Sequence, residues 1–145
     1  MNRPKPTYAL RNVLLRLLGF GTYAQYLACD MWVRIRTAVI VRDGSRCVLC
    51  GASAYAVHHL DYRKATLVGE TMDGLVSICD MCHKKVEFTR SGKKRTLVQS
   101  VATYHSIIRK MARWNSPKPG RCSHCKNKAK TNSTVCRLCK RKGLS

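Results

Sequence analysis

Residues 47–62 read CVLCGASAYAVHHLDY: a C-x-x-C knuckle, Cys47 and Cys50, then Gly51, then a short apolar run carrying two adjacent histidines, His58 and His59. A second apolar run, GLVSIC (Gly74–Cys79), leads into a second knuckle followed by histidine, CDMCH (Cys79–His83). The two runs, AYAVHHL and GLVSIC, predict an antiparallel hairpin with a long connection containing Gly69, Glu70 and Asp73. Gly51 falls where the tight turn after the knuckle favours a positive φ. One knuckle ends where the first strand begins, and the other lies where the second strand becomes a helix. A single zinc ion on Cys47, Cys50, Cys79 and Cys82 would therefore staple the hairpin to that helix. In a segment with so little core of its own, such a staple supplies folding energy.

Asp80 is placed to cap the helix, expected over about residues 81–90 with Gly92 at its far end. His83 falls in its first turn and Glu87 four residues on, so both share one face and can point at one ion. Glu87 equally fits a solvated acid paired with a lysine.

Outward from this segment the chain is helical and basic. Tyr8–Leu18 is leucine-rich, Gly19 and Gly21 interrupt it, Thr22 fits an N-cap for YAQYLACD, and a further helix is expected over about 31–41. Trp32, Ile35, Val39 and Ile40 give that helix its apolar face, and Cys29 reads as a packing residue. Beyond the exposed basic loop SGKKR, Thr96–Trp114 is amphipathic, with Val98, Val101, Tyr104, Ile108 and Met111 on one face. NSPKPGR is a linker. The final segment carries another two knuckles, Cys122/Cys125 and Cys136/Cys139, spaced for a second structural zinc.

Eight of the nine cysteines thus lie in C-x-x-C pairs, which favours zinc over a disulfide framework. The formal charge of the 145 residues is +21, and no Asp or Glu precedes Asp30 or follows Glu87. Two four-thiolate zinc sites would lower the charge only to about +17. This excess calls for a polyanion, nucleic acid ahead of an anionic membrane. Candidate phosphate contacts are Lys84, Lys85, Lys93, Lys94 and Arg95 near the hairpin, and Arg121, Lys126, Lys128, Lys130, Arg137, Lys140, Arg141 and Lys142 in the tail. The alternative for the tail is a module that packs on the rest of the chain. No run of 18 apolar residues is present, so no membrane span is expected. The basic N-terminus is broken by Arg16, which argues against secretion; an organellar presequence is the second reading and the cytoplasm the first.

With these residues in view, Tyr23–Phe88 resembles the HNH endonucleases of phages and bacteria, ββα-metal enzymes with a four-cysteine zinc site. The knuckles, VHHLDY, GE and LVSICDMCH stand in family order. The resemblance implies that His58 and His83 are ligands of a catalytic divalent ion, that His59 is the general base, and that Glu87 stands where several members carry another ligand. It departs in one place. The middle Asn of the signature is replaced by Gly74, which leaves the neighbouring Asp73 to take the role or leaves the role empty.

The chemistry agrees with the resemblance. Phosphodiester hydrolysis needs an activated water and charge on the phosphate and leaving oxygen. A histidine suits the first need and an ion with open positions the second. Nitrogen ligands favour a transition metal and a carboxylate makes Mg or Mn workable, so the expected catalytic ion is Mg, Mn or Ni. His105 and His124 read as structural or exposed.

The expectation is an α+β chain: a helical region over 1–42, a zinc-stapled ββα-metal core over 43–92, a basic amphipathic helix over 93–115 and a basic zinc module over 116–145. Its expected function is metal-dependent cleavage of DNA in a bacterial or phage-infected cell, with two structural zinc ions, a separate catalytic ion, and a dimer where both strands are cut. The alternatives are a non-catalytic zinc protein that binds nucleic acid, and a factor whose main target is RNA.

Overall fold

A computed structural model describes residues 8–115, 124, 125, 135 and 137–143. The chain divides into two compact units, Met1–Ile108 and Arg109–Ser145. The first unit mixes helices with a two-stranded antiparallel sheet, an α+β arrangement.

Three helices lead in: α1 (Ala9–Leu17), α2 (Tyr23–Ala28) and α3 (Asp30–Arg42). Each boundary has a local cause. Gly19, with φ +88°, ends α1: its amide bonds to the Arg16 carbonyl and that of Phe20 to the Leu15 carbonyl, which satisfies two end carbonyls. Thr22 opens α2 with a capping box. Its hydroxyl accepts from the Gln25 amide at 3.1 Å, and the Gln25 side chain accepts from the Thr22 amide at 3.1 Å. Cys29 does more than pack: it is the N-cap of α3, and its sulphur accepts from the Trp32 amide at 3.4 Å.

The hairpin follows. Strand β1 (Ala56–His59) pairs with β2 (Leu75–Ile78) in the register Ala56↔Ile78, Val57↔Ser77, His58↔Val76 and His59↔Leu75. The long connection holds a short helix that periodicity did not reveal, α4 (Lys64–Leu67). It is one turn long, too short to carry a helical repeat in sequence. Its end turns at Gly69, φ +79°, where a Cβ would lie 2.8 Å from Ile35 Cγ1. The amide and carbonyl of Ser77 point away from β1 and find other partners: Asp43 Oδ2 at 2.8 Å and the Val48 amide at 3.1 Å. Arg42 adds bonds to the carbonyls of Met72 and Leu75. The end of α3 is thereby tied to β2.

Trp32, Ile35 and Val39 recur on one face of α3 and bury against Leu15, Tyr26, Leu67 and Leu75. One core therefore joins the lead-in helices to the hairpin, and the histidine pair stands on its margin.

After β2 comes α5 (Asp80–Glu87), shorter at its C-terminus than the expected 81–90. Phe88 is extended (φ −123°, ψ 151°) and bridges to Lys94, so Thr89–Lys93 forms a turn containing Gly92 instead of a last helical turn. The N-cap is Cys79, without a side-chain cap bond, and Asp80 lies inside the first turn. The long helix α6 (Leu97–Asn115) forms as expected, but its buried residues are Ser100 and Tyr104 while Val98 is exposed. In the second unit α7 spans Arg137–Arg141, and Val135 and Cys139 are buried with Cys125 against them. The expectations at Cys122, Cys136, Arg121, Lys126, Lys128 and Lys130 lie outside the described residues.

Candidate metal centre and active site

Two donor clusters flank the hairpin. The Sγ atoms of Cys47, Cys50, Cys79 and Cys82 all lie within 4.8 Å of one another, close enough to hold one metal ion, and four thiols in this spacing are compatible with zinc. The backbone shapes the nest. The Gly51 amide bonds to the Cys47 carbonyl, the Cys47 amide bonds to the Ala52 carbonyl, and Gly51 has φ +75°, the turn expected after a knuckle. A backbone hydrogen bond from Cys82 is the largest influence on the Cys79 thiol and brings it down to about 7, so one ligand is poised as thiolate. Burial pushes the Cys82 thiol up.

The second cluster is His58, His83 and Glu87, whose ligand atoms also lie within 4.8 Å of one another. β1 supplies His58, and the first and second turns of α5 supply the other two. The His58 and His83 rings are 5.2 Å apart. Glu87 Oε1 lies 3.5 Å from His83 Nε2 and 3.9 Å from His58 Nδ1, while Oε2 faces Lys94 Nζ at 3.7 Å. Interaction with His83, helped by Lys94 and His58, holds the Glu87 carboxyl down at about 2 against the effect of burial. Burial, then the neighbouring His83, lowers His58 to about 4. His58 is therefore neutral at physiological pH, and its buried Nε2 has no hydrogen-bond partner among the described residues. Two imidazoles and a carboxylate make a donor set that fits a divalent ion.

The histidine pair sits at the end of β1, in regular register and without a bulge, so its rings diverge. His58 faces His83, whereas His59 enters an aromatic box. Its ring stacks between Trp32 at 4.7 Å and Tyr62 at 4.8 Å, with interplanar angles of 20° and 15°. Tyr26 and Tyr23 close the sides. The Tyr23 hydroxyl lies 3.3 Å from His59 Nδ1, and Nε2 is buried with no hydrogen-bond partner among the described residues. Burial, then the charges of His58 and Arg11, lowers His59 to about 3.

Both rings nevertheless line one cavity of about 490 Å³, together with His83 and Glu87. Its walls include Arg11, Arg36 and Lys94 and the rings of Tyr8, Tyr23, Tyr55 and Tyr62. Arg11 lies 4.1 Å over the Tyr23 ring and 4.6 Å over that of Tyr8, and Tyr55 is 74% exposed beside the cavity. Neither arginine nor any of these tyrosines was singled out from sequence. Arg11 and Arg36 look like any other helical arginine until the fold brings α1 and α3 to the histidines. The one available signal was the lack of acid before Asp30.

Asp73 is not brought to this cluster. It is exposed, its amide bonds to Thr71, and it does not line the cavity. The space that a side chain at Gly74 would occupy is filled by Asp61: a Cβ there would lie 2.5 Å from Asp61 Oδ2. Asp61 in turn accepts from the Arg63 amide and guanidinium and from the Thr66 hydroxyl at 2.6 Å, which pins the turn after β1.

Among the basic candidates, Lys84, Lys85, Lys93 and Lys94 are exposed, as are Lys140, Arg141 and Lys142 in the second unit. Arg137 opens α7. Arg95 is committed to the carbonyls of Lys85 and Phe88. Among the described residues no helix is long and apolar enough to cross a membrane. Comparisons of the chain with family models, with curated proteins and with solved structures each return no match.

Proposed function

We propose that the chain is a metal-dependent endonuclease of HNH type that hydrolyses phosphodiester bonds in DNA. The observation that carries this reading is the convergence of His58, His83 and Glu87 within ligand distance of one another, in a cavity that His59 also lines. Cys47, Cys50, Cys79 and Cys82 take a zinc ion that staples α5 to the hairpin, and the second pair of knuckles takes another. His58, His83 and Glu87 hold the catalytic Mg, Mn or Ni ion, which supplies charge to the phosphate and the leaving oxygen.

The chain's own residues supply the rest. His59 is kept neutral by its aromatic box, so it accepts the proton of the attacking water without first losing one. A bound phosphodiester anion beside the ring raises its basicity by opposing the influence of Arg11. Arg11, Arg36 and Lys94 meet the negative charge at the cavity wall. Lys84, Lys85, Lys93 and the basic tail hold the flanking backbone, which fixes position and leaves sequence unread. One such site cuts one strand, so cutting both takes a second copy or repositioning.

Incubating supercoiled plasmid with the zinc-loaded protein and added Mg, Mn or Ni tests the reading. Nicking that needs the added ion and falls about 10²–10⁴-fold in His59→Ala supports it. Equal behaviour of wild type and His59→Ala sinks it and leaves the non-catalytic nucleic-acid-binding alternative. Competition between duplex DNA and RNA at several salt concentrations separates the two polymers.

A further inference from the structure

We propose that Tyr23 is a positioning residue for His59: its hydroxyl oxygen accepts from Nδ1–H and so fixes the tautomer that leaves Nε2 free to take a proton. The inference rests on the base role proposed for His59, but its geometry is independent of any metal. Tyr23 Oη lies 3.3 Å from Nδ1, and no other hydrogen-bond partner meets the ring among the described residues.

The direction of the bond follows from where each proton can go. If Tyr23 donated to Nδ1, the ring proton would sit on Nε2, a buried donor with no acceptor among the described residues. An orphaned buried N–H is rarer in proteins than an under-used lone pair. In the opposite sense the ring proton has an acceptor. His59 Nδ1–H gives to Tyr23, and Nε2 keeps a bare lone pair. Stacking against Trp32 and Tyr62 fixes the plane of the imidazole, and the Tyr23 hydroxyl fixes its proton. Such a partner is the usual means by which one ring nitrogen is committed so that the other can act. Here it comes from α2, 36 residues before the histidine it orients.

The substitution Tyr23→Phe removes only the hydroxyl, because the ring stack with Tyr26 at 5.9 Å and the seat of Arg11 remain. Long-range proton–nitrogen NMR on zinc-loaded, ¹⁵N-histidine protein at neutral pH reads the tautomer, with His59 assigned by its loss in His59→Gln. The expected result is a protonated Nδ1 and a bare Nε2 in wild type, and loss of that preference in Tyr23→Phe. A proton on Nε2 in wild type, or an unchanged tautomer in the variant, overturns the proposal. In the plasmid assay Tyr23→Phe should lower kcat about 10–100-fold with KM unchanged, and should cost nothing further in a His59→Ala background. Additive losses would likewise overturn it. The NMR result stands whether or not the wild type cuts DNA, so failure of the nuclease reading and failure of the tautomer assignment are told apart.

Discussion

Gly74 is the residue at which the expected signature breaks, and its surroundings give a physical reason. The Asp61 carboxylate occupies the space of a side chain there and is anchored by Arg63 and Thr66, so it cannot swing aside cheaply. Gly74→Ala should therefore destabilise the protein by about 1–3 kcal/mol. In an Asp61→Ala background the same change should cost less, because the collision is gone. Urea denaturation of the four proteins checks this, and strict additivity would refute the close approach. The convergence of His58, His83 and Glu87 was legible from sequence, since helical spacing places the last two on one face and the resemblance adds the first. The surroundings of His59 were not. Trp32, Tyr26 and Tyr23 come from helices 27 or more residues upstream, and no local pattern reports a stack between distant rings.

At the scale of elements, the hairpin was readable because two short apolar runs stood between turn signals, and the capping box of α2 because Thr22 and Gln25 are three apart. The end of α5 was misjudged. The Phe88↔Lys94 bridge forms a turn where propensity would have continued the helix, an instance of tertiary structure overriding local preference. The tie between α3 and β2 was invisible in sequence and carries a pH signature. Burial pushes the Asp43 carboxyl up, but the Arg42 guanidinium and the Ser77 amide hold it below the ordinary carboxylate range. Its folded pKa thus lies below its unfolded one. The resulting stabilisation is fully present above the unfolded value and fades as pH falls toward the folded one. Asp43→Asn should be about 1–2 kcal/mol less stable than wild type near neutral pH, and the gap should close below about pH 4. Denaturation of both proteins across that range measures it, and a gap independent of pH would contradict the tie.

For the whole molecule, charge pointed to a polyanion and cysteine spacing to the thiol donors, while the assembly of α1, α2 and α3 around the histidines needed the fold. The thiol cluster joins the loop before β1 to the start of α5. A structural zinc in such a site contributes about 10–16 kcal/mol of apparent binding energy, comparable to the entire stability of a small domain. Chelation, or Cys79→Ala, should accordingly abolish the cooperative unfolding transition followed by circular dichroism. An unchanged transition after confirmed zinc loss would remove the staple from the account.

In the proposed nuclease a second ion, distinct from the zinc on the cysteines, is held by His58, His83 and Glu87 and is needed for DNA cleavage. The most direct measurement is calorimetric titration of zinc-loaded protein with Ni or Mn, alongside plasmid nicking by the same samples. Wild type should bind a further ion and nick, and His83→Ala, with its zinc content unchanged, should do neither. A His83→Ala protein that binds the added ion and nicks like wild type would contradict it.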